Sequence, residues 1–266
     1  MKSPLPHVSL VIAVYNQIHY TRQCLESIVH CTEAPYELVL VDNGSTDGTD
    51  GFLSTVKGKV ITNDTNLGCA KAWNQGVRAS NGEVIAILNN DIVVTPGWLT
   101  SLLRFMDQTG HGIVSPSARE GPLDYDLGSY AKEFVRRCTS ATRPRVYGAC
   151  MLVRRAVFDR IGLFDEGFSY GGFEDTDFLW RARQAGYSLG MTGSVLIHHF
   201  GTVTQDAIKR TETRGYPDRN LAHFQRKWNR TARGNWAQRR WDDLKNAWIN
   251  RYERFRYGHA LVEKKG

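Results

Sequence analysis

Residues 82–96 read G-E-V-I-A-I-L-N-N-D-I-V-V-T-P. The apolar run 84–88 drives toward three short polar side chains, Asn89, Asn90 and Asp91, and the chain then turns apolar again. Val and Ile favour a strand buried on both faces, whereas Asn and Asp favour the turn that ends one. In open α/β sheets ligands collect at the carboxyl ends of the strands. A carboxylate there can hold a divalent cation, and the cation a diphosphate. The plainer reading, that the polar trio only makes the turn, stands beside it at this point.

Working outward, strand patterns at 8–14, 36–41 and 60–61 alternate with helical patterns at 20–29, from about Asp50, and at 69–79. That alternation predicts an α/β fold with a mostly parallel central sheet flanked by helices. The second half is less regular. It predicts a helix over 98–109, a short strand over 113–115 and a long irregular region over 117–144. A strand over 146–153, a helix over 155–161, a glycine-rich loop over 162–172 and a helix over 174–185 follow, then strands over 188–191 and 194–198. Residues 1–205 read as one domain, and 206–266 as a helical C-terminal extension.

The chain has 266 residues, 41% of them hydrophobic and 11% aromatic, enough for one sizeable core. Its net charge of +7 resides in the extension, where 16 Lys and Arg face 7 Asp and Glu; the first 205 residues carry 18 against 20. Trp241, Leu244, Trp248, Tyr252 and Phe255 fall on one helical stripe, flanked by Arg239, Arg240, Arg251, Arg254 and Arg256. Two readings fit: a helix packed on the domain with a solvated charged face, or an interfacial helix on an anionic membrane surface. No nucleic-acid-binding module accompanies the charge, so nucleic acid is not an expected partner. Five cysteines without metal-site or CxxC spacing suggest reduced thiols in a cytosolic protein. No apolar run reaches the roughly 18 residues of a membrane span. The expected location is therefore cytoplasmic, with a peripheral contact at the inner face of the cell membrane left open.

Four polar groups mark strand ends or loop-to-helix junctions: Asp42 with its Asn-Gly-Ser-Thr-Asp-Gly run, Asp91, the pair Glu174–Asp175, and His198–His199. Singly, each has a dull explanation as a turn, a cap or a core histidine. Together, at one end of a sheet, they make a site.

Seven blocks spanning about residues 7–205 resemble the inverting family 2 glycosyltransferases of the GT-A fold, especially the bacterial rhamnosyltransferase-like branch. They are V-S-L-V-I-A-V-Y-N, E-L-V-L-V-D-N-G-S-T-D-G-T, N-L-G-C-A-K-A-W-N-Q-G, A-I-L-N-N-D-I-V-V-T-P-G-W-L, G-A-C-M-L-V-R-R-A-V-F-D-R-I-G-L-F-D-E, F-E-D-T-D-F-L-W-R-A-R-Q-A-G-Y and H-H-F-G-T-V-T. The resemblance implies a hexosyltransferase that moves a sugar from a nucleotide-diphosphate donor, UDP- or dTDP-linked, to a hydroxyl of a glycan or lipid-linked glycan. It implies that Ala13, Tyr15 and Asn16 line the nucleotide pocket, that Asp42 accepts hydrogen bonds from the base, and that Asn66, Gly68 and Lys71 lie beside the ribose and diphosphate. Asn89-Asn90-Asp91 stands where the family has its metal-binding Asp-x-Asp, with Asn in place of the first Asp. Asp91 is thereby implied as a ligand of Mn2+ or Mg2+, with His199, or His198 one residue away, as the family's histidine ligand. Asp175 matches the general base of the Glu-Asp pair, and Glu174 would raise its proton affinity through like-charge repulsion.

Three other readings were weighed. A sugar-nucleotide pyrophosphorylase calls for a Gly-rich, Arg-containing loop after the first strand, and a nicotinamide dehydrogenase for G-x-G-x-x-G; Ala13-Val14-Tyr15-Asn16-Gln17 stands there instead. A non-catalytic scaffold docking through its basic tail would be favoured by loss of the base or the metal carboxylate, yet both Asp175 and Asp91 are present.

Overall fold

The computed structural model describes residues 6–201, 203, 215–229 and 236–264. Strands β1 (Val8–Val14), β2 (Tyr36–Asp42), β3 (Lys59–Thr62) and β4 (Val84–Asn89) are mutually parallel in the order β3-β2-β1-β4. Helices α1 (Ile18–Cys31), α2 (Thr49–Leu53) and α3 (Cys69–Ala79) connect them. Alternation along β1 and β4 sends Leu10, Ile12, Ala86 and Leu88 to one core layer. Val11, Ile85 and Ile87 go to the other. Full burial of such side chains stabilises the fold by about 1.5–3 kcal/mol each.

Beyond β4 antiparallel strands join the sheet, which stays mostly parallel as a whole. After β5 (Ile92–Val93) and α4 (Trp98–Thr109) come β6 (Ile113–Glu120), α5 (Leu127–Cys138), β7 (Thr142–Arg143) and β8 (Cys150–Arg154). Strand β8 inserts antiparallel between β4 and β6. Its connection enters from the edge where its neighbours end. Residues 147–149, just ahead of β8, therefore lie beside the carboxyl end of β4, where the Asn89 N–H donates to the Ala149 carbonyl at 2.9 Å.

The region 117–144, expected to be irregular, instead holds the end of β6, all of α5, and β7. Ser115, Pro116, Ser117, Ala118, Arg119 and Glu120 lack the branched and aromatic residues that mark a strand, and this one is made by pairing with β9 (Leu189–His199). Helix α5 is capped by Asp126, whose carboxylate accepts the Ser129 N–H, and it buries Ala131, Phe134 and Cys138. The two strands expected over 188–198 are one strand, irregular in register opposite Pro116/Ser117.

Helix α6 (Arg155–Ile161) leads through the glycine-rich loop to α7 (Glu174–Gln184). Helices α8 (Tyr216–Lys227) and α9 (Trp236–Tyr257) and strand β10 (Val262–Lys264) complete the chain, with β10 parallel to the end of β6. None of the five cysteines forms a disulfide. Among the described residues no helix is long and apolar enough to cross a membrane.

Candidate active site

The carboxyl ends of β1, β4, β6 and β9 share one edge of the sheet, and a cavity of about 250 Å3 opens there. Of the residues implied by the resemblance, Ala13, Tyr15, Asn66, Asn89 and Asn90 line it. So do Asp91, Glu174, Asp175 and His199. Asn16, Asp42, Gly68 and Lys71 do not. Asn16 and Gln17 adopt left-handed backbone, and the Asn16 carboxamide oxygen accepts the Thr46 N–H at 2.7 Å, tying the end of β1 to the loop after β2. Asp42 is 1% exposed; its Oδ1 accepts the Ser45 N–H at 3.1 Å and its Oδ2 is left without a partner. The neighbouring Asn43 lines the cavity instead, and its amide donates to Asn66 Oδ1 at 2.9 Å.

Asp91 and His199 meet because β5 pairs antiparallel with the end of β9, Ile92 opposite His199, and the Phe200 N–H donates to the Asp91 carbonyl at 3.0 Å. Asp91 Oδ1 and His199 Nε2 are 3.2 Å apart, yet both atoms are buried and neither is aligned for a hydrogen bond. On the other side of the ring, Tyr147 Oη lies 2.6 Å from His199 Nδ1 and donates to Glu120 Oε1. Burial opposes a charged imidazole, but the flanking carboxylates of Asp91 and Glu120 outweigh it and raise the His199 pKa to about 9. The spot thus favours positive charge. Burial would raise the Glu120 carboxyl, but hydrogen bonds from His199, Tyr147 and Lys264 bring it down to about 2. His198, on the opposite side of the strand, meets Tyr125 Oη through Nδ1 at 3.0 Å, and burial lowers it to about 4. Of the two histidines, His199 is the one that faces the cavity.

Asp91 Oδ1 and His199 Nε2, buried and 3.2 Å apart, are a carboxylate and imidazole donor set that fits a divalent cation in exchange for the proton on His199. Among the described residues no third His, Cys, Asp or Glu joins them in a metal-binding group, so water or a substrate oxygen would have to complete the shell.

Glu174 and Asp175 open α7 and line the same cavity. Burial, and then the Asp175 charge, raise Glu174 to about 8. Burial also raises Asp175, but its Oδ1 accepts the Thr176 N–H at 2.6 Å at the positive end of the helix. Both carboxyls of the pair are thus pushed toward the protonated form by burial, and the bond from Thr176 favours the charged form of Asp175. Its Oδ2 faces Gly148 so closely that a Cβ there would come within 2.4 Å.

The loop ahead of α7 carries two non-glycine residues in the left-handed region, Tyr170 (φ 55°) and Phe173 (φ 77°). It is held from α8 by Asn220, 1% exposed, whose carboxamide accepts the Ser169 N–H at 2.8 Å and donates to the carbonyls of Ser169, Gly171 and Gly172. From the other side the Cys69 N–H donates to the Tyr170 carbonyl at 2.7 Å, against Gly68 (φ +88°), where a Cβ would come within 2.9 Å of the Tyr170 nitrogen. Asp177, fully buried, joins α7 to α8 by accepting from Arg181 Nε (2.9 Å), Lys227 Nζ (2.8 Å) and Trp228 Nε1 (3.0 Å).

Residues 9–162 match the family model for glycosyl transferase family 2. The chain belongs to this family. Among other relatives in it, the chain is 30% identical over 213 residues to glycosyltransferase AglE of Haloferax volcanii, covering 75% of this chain and 68% of that one. It is 35% identical over 223 residues to the putative glycosyltransferase EpsH of Bacillus subtilis, covering 77% and 64%. Across the curated relatives compared, it spans from 23% to 69% of their lengths. A mannosyltransferase, PcManGT from Pyrobaculum calidifontis, solved with GDP-Man and Mn2+, superposes with a TM-score of 0.62 at 19% identity, covering 84% of this chain and 65% of that one. The α/β architecture is accordingly the GT-A fold of this family.

Glu120, Tyr147, Gly148 and Asn220 were not among the residues singled out from the sequence. The first lies in a strand without strand-like composition, Gly148 only opens one of the quoted blocks, and Tyr147 and Asn220 lie in none of them.

Proposed function

We propose that the chain is an inverting glycosyltransferase that moves a sugar from a nucleotide-diphosphate donor to a hydroxyl of a glycan or lipid-linked glycan acceptor. One observation carries this reading: a single cavity is lined by the buried Asp91–His199 pair and by the carboxyl group of Asp175. Direct inversion needs a base on the face opposite the leaving group, together with charge stabilisation of the departing diphosphate.

In this reading Asp175 takes the acceptor proton through Oδ2, while Glu174, protonated, spares it a neighbouring charge. Asp91 and His199 hold Mn2+ or Mg2+, which when bound would neutralise charge on the diphosphate. Ala13 and Tyr15 surround the base and Asn66 attends the ribose and diphosphate, while Asn16, Asp42, Gly68 and Lys71 stand outside the cavity wall. Asn89 and Asn90 line the sugar–phosphate end. The rhamnosyltransferase-like branch favours a UDP- or dTDP-sugar, whereas PcManGT holds GDP-Man. Residues 1–205 form the catalytic unit and 206–266 its extension, in a cytoplasmic protein of polysaccharide biosynthesis.

The test is thermal stabilisation by a panel of nucleotide sugars with and without Mn2+, because a ligand of the native state raises its apparent stability. NMR of the transfer product follows. Stabilisation by one donor that depends on Mn2+, with an inverted anomeric centre, supports the reading. Retention of configuration, or indifference to every donor, overturns it.

A further inference from the structure

Among the described residues, helix α9 is fastened through one face. Arg143, 6% exposed, donates through Nε and Nη2 to Glu253 and through Nη2 to Asn250 Oδ1 at 2.7 Å, and Arg145 Nη1 reaches Asn246 Oδ1 at 3.4 Å. Glu253 is itself 5% exposed and also accepts the Leu261 N–H at 2.7 Å. Asn246, Asn250 and Glu253 recur at helical spacing and define the attached side.

At about 100° per residue, Leu244, Trp248, Tyr252 and Phe255 lie about half a turn away from them. These four are exposed by 57%, 66%, 49% and 89%. Trp248 and Tyr252 stack on each other at 5.8 Å with an interplanar angle of 13°, forming a flat aromatic surface. The stripe is flanked on one side by Lys245 and Arg256 and on the other by Arg251 and Arg254, all exposed. From Leu244 to Tyr257 the one carboxylate is Glu253, which Arg143 neutralises. The side chains of Arg239, Arg240 and Trp241, which extend the pattern in sequence, lie outside the described residues.

We propose that this face of α9 is a docking surface for an anionic lipid bilayer, the aromatic stripe entering the headgroup region and the flanking cations pairing with lipid phosphates. An apolar stripe bordered by Arg and Lys on a helix already fastened by its opposite side is the arrangement of an in-plane interfacial helix. A second copy of the chain suits the face less well. Stripe against stripe would bring the arginine rows together with no free carboxylate in 244–257 to separate them.

The surface also connects to the cavity. Seven residues after α9 the chain reaches Lys264, whose Nζ is 2.9 Å from Glu120 Oε2 at the end of β6. In combination with the proposed transfer reaction, on which this clause rests, docking would bring the cavity to a lipid-linked acceptor.

The test is co-sedimentation of the whole chain with vesicles of phosphatidylcholine alone or mixed with phosphatidylglycerol. Binding is expected only to the mixed vesicles and should weaken with added salt. Trp248→Ser with Phe255→Ser should cost roughly tenfold in vesicle affinity. Arg251→Gln, Arg254→Gln and Arg256→Gln together should cost roughly a hundredfold. Equal binding to neutral vesicles, absence of binding, or unchanged binding by both variants overturns the proposal. So does a dimer in sedimentation velocity that the Trp248/Phe255 variant abolishes. Donor hydrolysis is measured on the same proteins without vesicles: its absence in all of them counts against the transferase reading and leaves the docking result standing.

Discussion

Tyr147 Oη sits between His199 Nδ1, 2.6 Å away, and the Glu120 carboxylate. Because the hydroxyl gives its proton to Glu120, it accepts from Nδ1–H, so the proton that a cation would displace from the charged ring is the one on Nε2, toward Asp91. Partners behind a ligating histidine commonly change metal affinity by 10–100-fold. Tyr147→Phe is therefore expected to weaken Mn2+ binding by about that factor, read by calorimetry. Chemical denaturation should register a loss of only about 1–2 kcal/mol, from the missing hydrogen bonds.

Asp175→Asn should abolish transfer while leaving donor-nucleotide affinity within a few-fold, because the side chain is isosteric and the Asp91–His199 pair is left untouched. Turnover like that of the wild type would remove Asp175 from its role as base.

The carboxyl pair gives a pH signature. Burial and the Asp175 charge push the Glu174 carboxyl up from its ordinary 4.5 to about 8, so above the ordinary value the folded chain holds a proton that the unfolded chain releases. Stability therefore falls as pH rises through this window and is fullest below it. Glu174→Gln removes that slope. Urea unfolding at about pH 5 and about pH 8 should show a smaller difference for the variant than for the wild type.

Gly148→Ala tests the seating of the base. A Cβ at 2.4 Å from Asp175 Oδ2 forces the carboxylate aside, and misplacement by about 1 Å can cost on the order of 100-fold in rate. The fall is expected in kcat, with the donor KM nearly unchanged and the circular dichroism spectrum intact.

Asn220→Ala would release the loop that carries Tyr170 and Phe173 in left-handed backbone. Its four hydrogen bonds go to backbone groups of 169–172, so kcat should drop by more than KM rises, and limited proteolysis should cut within that loop.

The parallel half of the sheet and the Asp91 turn were legible in the sequence because their signals are local: alternating buried runs, then Asn and Asp where a strand must stop. The mixed half was not. Strand β6 owes its form to partners on both sides rather than to its own Ser, Pro, Arg and Glu, and an antiparallel insertion leaves no periodic trace. Likewise Glu120 and Tyr147 join the site through tertiary placement, and Asn220 acts from a helix whose visible feature in sequence is its charge. The exposed stripe on α9 was legible as a pattern; the side on which the helix is fastened was not.

Asn89, where relatives in the resemblance carry Asp, leaves one carboxylate and one imidazole facing the point where a cation fits. With so few protein charges, cation and donor would hold each other: the diphosphate supplies oxygens the protein lacks, and the cation supplies the charge the diphosphate needs. Thermodynamic linkage makes the help mutual, so whatever factor the cation adds to donor affinity, the donor returns to the cation. On the proposed reading such a site would fill as a pair and empty as a pair, and departure of the nucleotide would loosen the metal with it.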